Sequence, residues 1–253
     1  MRYAFTIAYD GTNYAGWQRQ KGAVSVQEKV EEAFLLALKR PFKITASGRT
    51  DAGVHALGQV CHFDDGEITV PPEKLPDCIN RFLPSDIRLV KGWAAGEGFD
   101  CNRSAKRKTY RYALYESDRE MPLKDRYSTR VEKAPSLEKL RAAAKLLEGE
   151  HDFKAFCASG SSIKTTVRTV YEVSVEEGHS FGSRDLFISV TGNGFLYNMV
   201  RTMTGEILDL ASGRKTEESL IKAFETGERG LLGKTMPAKG LMLMKVEYGG
   251  ENG

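Results

Sequence analysis

Apolar positions dominate from Tyr3 to Tyr9, where aromatic and β-branched residues alternate as in a strand, and the polar Asp10-Gly11-Thr12-Asn13 breaks the run. Ser25-Val26-Gln27-Glu28 has the form of a capping box. Val26, Val30, Ala33, Phe34 and Ala37 follow at helical spacing, up to Pro41. This predicts an amphipathic helix packed on a sheet. Strands are predicted at Phe42 to Ala46, Gly58 to Phe63 and Ile87 to Trp93. A helix opens at Pro71, carries Leu75, Ile79 and Phe82, and stops before Pro84.

Near residue 115 the pattern restarts. A strand at Tyr110 to Tyr115 leads to a helix at Ser136 to Glu148 with Leu137, Leu140, Ala144 and Leu147 inward. Strands follow at Thr166 to Glu176 and Leu186 to Thr191. A long helix is predicted over Phe195 to Ser212, striped by Met199, Val200, Met203, Ile207 and Leu210 and stopped at Gly213. Thr216-Glu217-Glu218 starts a short helix, and Leu241 to Tyr248 is a closing strand. The expectation is an α+β chain of two similar halves, residues 1–115 and 116–253, with antiparallel sheets flanked by helices. A cleft between halves is the natural place for a site.

Composition narrows this little. At 253 residues, 41% hydrophobic and 28% charged, the chain is an ordinary globular one and not wholly disordered. A net charge of +3 permits a nucleic-acid partner without demanding one. Cys61, Cys78, Cys101 and Cys157 stand far apart with no Cys-x-x-Cys spacing, so neither a zinc nor a redox site is expected. Reduced, buried thiols fit a cytoplasmic protein. The chain enters a strand pattern at once and has no apolar run long enough to span a membrane, so neither a signal peptide nor a membrane anchor is expected.

The distribution of charge says more than the sum. Arg103-Ser104-Ala105-Lys106-Arg107-Lys108-Thr109-Tyr110-Arg111-Tyr112 holds five basic residues and no acid. It reads as a phosphate-contacting stripe with tyrosines interleaved, or as basic residues protecting a strand edge. Lys154 to Val170 repeats the bias with Lys154, Lys164 and Arg168. The stretch Ser47-Gly48-Arg49-Thr50-Asp51-Ala52-Gly53-Val54-His55 sets a charged pair among small, turn-prone residues. On spacing alone it is equally a soluble surface turn. Asp10-Gly11-Thr12 after a strand is not a phosphatase loop, since Ala8 stands where the second aspartate is needed.

Taken together the motifs resemble one family, the TruA-type tRNA pseudouridine synthases. The resemblance is carried by Ser47 through Ala56, by Tyr9-Asp10-Gly11 through Gly16-Trp17-Gln18-Arg19-Gln20, and by Lys108-Thr109-Tyr110-Arg111-Tyr112. It continues through Gly149-Glu150-His151-Asp152-Phe153, Gly192-Asn193-Gly194-Phe195-Leu196 with Asn198-Met199-Val200-Arg201, and Pro237-Ala238-Lys239-Gly240-Leu241. These run in order over nearly the whole chain. Asn102 stands where an arginine is expected, and Ala211-Ser212-Gly213 matches weakly.

The resemblance implies the pseudouridine synthase fold around a basic cleft. It also implies isomerisation of uridine in the tRNA anticodon arm at about positions 38 to 40, a homodimer, and no metal or organic cofactor. Asp51 matches the family's catalytic aspartate. Arg201 is expected to pair with it and keep it ionised, since an adjacent cation lowers a carboxyl pKa. Tyr110 matches the tyrosine that stacks on the target base, and its phenol is expected to assist proton removal at C5. Arg49 is expected to handle RNA, and Lys106, Arg107, Lys108, Arg111 and Arg168 to contact it. Phosphate contacts would offset the cost of flipping the uridine, a few kcal/mol or roughly that. His55 is expected to be structural. The rival readings are a non-catalytic RNA-binding module on the same fold, and a hydrolase using Asp51 and His55.

Overall fold

The computed structural model describes residues 1–158 and 165–249. The chain forms two compact units: residues 1–106 with the closing strand from Met242, and residues 107–241. In chain order the elements are β1 (Arg2–Tyr9), α1 (Val26–Leu38), β2 (Thr45–Ala46), β3 (His55–Asp64), α2 (Leu75–Ile79) and β4 (Ile87–Ala95). Then come β5 (Ala105–Glu116), α3 (Pro122–Asp125), β6 (Thr129–Val131), α4 (Leu137–Lys145), β7 (Gly149–Asp152), β8 (Val167–Ser180) and β9 (Ser183–Gly192). The last are α5 (Met199–Ala211), α6 (Glu217–Thr226) and β10 (Leu241–Tyr248).

In the first unit the strand order is β4-β1-β3-β10, with β2 also on β3. β1 runs antiparallel to both neighbours, with Phe5 opposite Cys61 and Gly92. β10 joins β3 in parallel, Met242 opposite His55, an exception to the antiparallel expectation. Phe34 of α1, Phe42 and Phe63 form the core, Phe63 lying 5.2 Å from each of the other two rings. Ser25 caps α1 by accepting the Glu28 N–H, and left-handed Lys39 ends the helix before Pro41 is reached.

Two sequence expectations are altered here. Only Thr45–Ala46 of the predicted Phe42 to Ala46 strand pairs with the sheet. Phe42 and Ile44 are still buried, but α1 takes the backbone of Ile44. Gln27 donates to its carbonyl and Glu31 accepts its N–H. The helix expected from Pro71 is a 3-10 turn followed by the short α2, and Phe82 is 45% exposed. The turn lies against β4 closely enough that a Cβ on Gly92 would sit 2.0 Å from the Pro72 carbonyl oxygen.

In the second unit the strands run β7-β8-β9-β5, all antiparallel, with β6 parallel to β5. Tyr112 and Leu114 of β5 face the core with Leu186, Ile188 and Val190 of β9. Leu140, Ala143 and Ala144 bring α4 onto this unit. α5 begins at Met199 rather than Phe195, because Asn198 takes a left-handed conformation that a helix cannot continue through. Nor is α5 simply amphipathic. Thr202, Thr204, Gly205, Glu206 and Leu208 are buried along with most of the predicted stripe.

Candidate active site

The loop between β2 and β3 carries Asp51, and hydrogen bonds within the first unit fix it on both flanks. On the entering side the Gln59 Nε2 donates to the Gly48 carbonyl at 2.8 Å, and Ser47 Oγ donates to Gln59 Oε1 at 2.5 Å. Gln59 and Ser47 are both fully buried. A buried amide left unpaired would cost roughly 1–3 kcal/mol, so its pairing with the loop is structurally binding. Next to Asp51, the Thr50 hydroxyl lies 2.8 Å from the Tyr9 phenol, and the Thr50 carbonyl accepts the Trp17 N–H. On the leaving side the Asp51 carbonyl accepts the Val54 N–H, and Gly53 sits at φ +78°, a turn conformation that favours glycine.

The turn after β1 is the loop's other support. A Cβ on Gly11 would meet the Val54 carbonyl oxygen at 2.0 Å, and one on Gly16 would meet that of Thr50 at 2.5 Å. Only glycine permits this approach. The Nδ1 of His55, a buried residue, is 3.0 Å from the Gly11 N–H and 3.1 Å from Asp10 Oδ1. It therefore ties the Asp10 turn to the start of β3, as a structural histidine does. Asp51 itself is half-buried and Arg49 exposed. The loop thus holds a carboxylate at a fixed place with a cation projecting beside it.

In the second unit, strand alternation splits the basic stripe. Tyr110 shares the buried face of β5 with Tyr112 and packs edge-on against Phe195 at 5.3 Å. Arg107 and Arg111 point the other way. The Arg107 guanidinium lies over the Tyr171 ring at 4.8 Å. Arg111 donates to Ser189 Oγ at 3.1 Å and pairs loosely with Glu176 at 3.5 Å. Lys108 is on the Tyr110 side by alternation. Lys106, at the edge of the first unit, is exposed. Arg168 donates to the carbonyls of Thr165 and Val167 and lies beside Gly194, in the turn that also carries Phe195. Burial holds its pKa below the usual guanidinium value. Lys164 lies outside the described residues.

Arg201 sits in the first turn of α5, where its Nε donates to the Met236 carbonyl and its Nη1 to Asn198 Oδ1, each at 2.7 Å. Residues 233–236 run along that helix like a strap. Met236 N–H donates to the Arg201 carbonyl, and the Thr202 and Thr235 hydroxyls are 3.0 Å apart. Gly205 lies where a Cβ would be 1.9 Å from the Lys234 carbonyl oxygen, and Glu206 Oε2 accepts the Gly233 N–H at 2.5 Å. The strap continues to Pro237, whose carbonyl accepts the Tyr112 phenol at 2.7 Å. Glu206 is fully buried, and its Oε1 has no hydrogen-bond partner among the described residues.

Sequence reasoning passed over Gln59 and Glu206. The available signal was a polar residue at a core position: Gln59 in a strand beside Val60 and Cys61, Glu206 on the apolar stripe of α5. An open cavity of about 650 Å³ in the first unit is lined by Met1, Arg2, Asp64 and Gly96 among others, and shares no residue with the Asp51 loop. Among the described residues no three His, Cys, Asp or Glu side chains gather as a metal site needs, and no helix is long and apolar enough to cross a membrane.

Comparison with known proteins bears on these motifs together. A family model described as tRNA pseudouridine synthase matches residues 6–102 and 143–249. The chain is 42% identical over 247 residues to the tRNA pseudouridine synthase A of Syntrophotalea carbinolica, covering 96% of this chain and 94% of that one. It is 40% identical to the protein of the same name from Geotalea uraniireducens, over 96% and 97%. For that of Bacillus licheniformis the figures are 39%, over 98% and 99%. A solved Cbf5-Nop10-Gar1 complex aligns at 11% identity and a TM-score of 0.38, over 96% of this chain and 49% of that one, too slight a likeness to bear on the fold. The match spans both units, including the Asp51 loop and the Arg201 helix, and on it the chain belongs to the tRNA pseudouridine synthase family.

Proposed function

We propose that this chain isomerises uridine to pseudouridine in tRNA, in the anticodon stem-loop at about positions 38 to 40, with Asp51 as the catalytic carboxylate. The observation that carries this is the half-buried Asp51 on a loop fixed by hydrogen bonds to Tyr9 and Gln59, in a chain similar along nearly its whole length to proteins named tRNA pseudouridine synthase A. The reaction breaks the N1–C1′ bond, turns the uracil and joins C5 to C1′. The C5 proton leaves and N1 gains one, so there is no net redox change and no group is transferred. A positioned carboxylate can serve as nucleophile or base in such a sequence. Tyr110 stacks on the flipped base, and Arg201 is the cation assigned to the carboxylate; both roles rest on the motifs that carry them. Arg49, Lys106, Arg107, Lys108, Arg111 and Arg168 contact RNA. The protein acts as a cytoplasmic homodimer without metal or organic cofactor.

The test is to map pseudouridine in tRNA incubated with the purified protein and with Asp51→Ala. The wild type is expected to convert uridine in the anticodon arm, and the variant to bind tRNA about as well while converting none. Conversion by Asp51→Ala would refute the assignment of Asp51. Binding without conversion by the wild type would leave the non-catalytic RNA-binding reading in its place.

A further inference from the structure

We infer that Gln59 is a positioning residue for the Asp51 loop, acting on the reaction without touching the substrate; this rests on the function proposed above. Gln59 lies on β3, on the face that carries Cys61 and Phe63, with no exposed surface. An amide at such a place has to be paired at both ends. Its two partners are consecutive residues, Gly48 and Ser47, the two that lead the chain from β2 into the loop. The orientation of the amide is fixed by chemistry. The Gly48 carbonyl can only accept, so Nε2 faces it, and Oε1 must then accept from the Ser47 hydroxyl. The Ser47 N–H is also bound, to the Val60 carbonyl at 2.8 Å, which registers the loop against the same strand.

The consequence is a loop whose entry is anchored to the sheet three residues before Asp51. Thr50 is anchored separately through Tyr9. With the Gln59 anchor gone, Gly48 and Arg49 can shift between Ser47, still held by Val60, and Thr50, while the rest of the unit stays folded. A displacement of the order of 1 Å in a catalytic group costs about 10²-fold in rate. Binding of tRNA, spread over many contacts, would not follow.

Gln59→Glu gives a readout that a merely structural role would not move. The ionised carboxylate has no donor for the Gly48 carbonyl and sets an oxygen against it. Protonated, it offers one O–H and one acceptor oxygen and restores both bonds. Burial raises the pKa of such a carboxyl. Single-turnover conversion of tRNA uridine is therefore measured for the wild type and Gln59→Glu from about pH 8.5 to pH 5.5. At the alkaline end the variant is expected to be about tenfold to a hundredfold slower, with tRNA affinity within about twofold. The ratio of variant to wild-type rate should climb towards one as pH falls, and taking the ratio removes the titration of Asp51. A ratio that stays flat with pH, or a loss of rate matched by an equal loss of affinity, overturns the inference. If Gln59→Glu does not fold, Ser47→Ala, which leaves the Gly48 bond in place, decides when set against Tyr248→Phe, the control for the bond that the Ser47 hydroxyl also makes to Tyr248. Ser47→Ala should lower the rate at unchanged affinity, and an unchanged rate overturns the inference. A wild type that makes no pseudouridine at any pH refutes the proposed function instead.

Discussion

Arg49 and Asp51 are two residues apart, and the structure gives them different standing. Asp51 is half-buried on a braced loop, whereas Arg49 is exposed and makes no hydrogen bond or ion pair to another described residue. A long cation left unengaged beside an anchored carboxylate is available to a phosphate, which suits the RNA-handling role proposed for it. Arg49→Ala should therefore leave the thermal midpoint unchanged and weaken tRNA binding. The slope of log affinity against log salt should fall by about one, the effect of losing one phosphate contact. An unchanged slope would remove Arg49 from the RNA contacts. Arg49 and Asp51, proposed here for RNA handling and chemistry, stand out in the sequence because they break the apolar pattern in a short turn. Gln59 does not, because its importance lies in what folds over it. Its partners, Ser47 and Gly48, are a dozen positions upstream, and no local pattern joins them to it. Arg107 and Arg111 show a related limit. The sequence displays five basic residues in one stripe, while the strand sends these two to the face opposite Tyr110.

At the scale of elements, α5 and its strap illustrate how a helix comes to be buried nearly all round. Thr202, Gly205 and Glu206 turn one side of it to residues 233–235, and the apolar side packs into the unit. Its length and stripe were visible in the sequence. Its start was not, since Asn198 departs from helical backbone by a single left-handed residue. The short polar strands β6 and β7 also escaped, because strands of three and four residues, exposed at β7, carry no readable period. Glu206 allows a direct test. Burial raises its pKa above the ordinary 4.5, with the Gly233 N–H opposing the shift. The folded state thus holds the proton more tightly than the unfolded chain. The stabilisation is complete below the unfolded pKa and is lost as pH rises through the folded one. Glu206→Gln cannot titrate, so its stability relative to the wild type should grow over that interval and then level off. Urea unfolding of both proteins between about pH 4 and pH 8 measures this difference, and a difference constant with pH would contradict the raised pKa. Asp64, Asp65 and Asp125, whose pKa values are lowered, act in the opposite sense below pH 4 or thereabouts. They cancel in the comparison.

At the scale of the whole chain, the feature with the widest consequence is the return of β10 to the first unit. The sequence shows β10 plainly as a strand but not where it goes. Its parallel register on β3 involves only Met242 and Leu243, and nothing local marks that pairing. The contacts that hold it there are specific. Gly58 approaches β10 so closely that a Cβ would lie 2.3 Å from the Met244 carbonyl oxygen, and the Tyr248 phenol donates to the Cys101 carbonyl at 2.7 Å. His55, the register partner of Met242, is also the residue that binds the Gly11 turn beneath the Asp51 loop. The first unit is thus completed only by residues more than a hundred positions away, a high-contact-order arrangement. A chain ending at Leu241 should lose amide protection in β3 and at Gly11, as measured by hydrogen exchange, and with it the fixed geometry of the Asp51 loop. The β8–β9 hairpin of the second unit, whose ladder is entirely local, provides the control and should keep its slow amides. Equal protection of β3 in the full and the shortened chain would mean that β10 is an accessory to the first unit. Loss confined to β3, the Gly11 turn and the Asp51 loop would mean that the candidate active site depends on the last strand of the chain being in place.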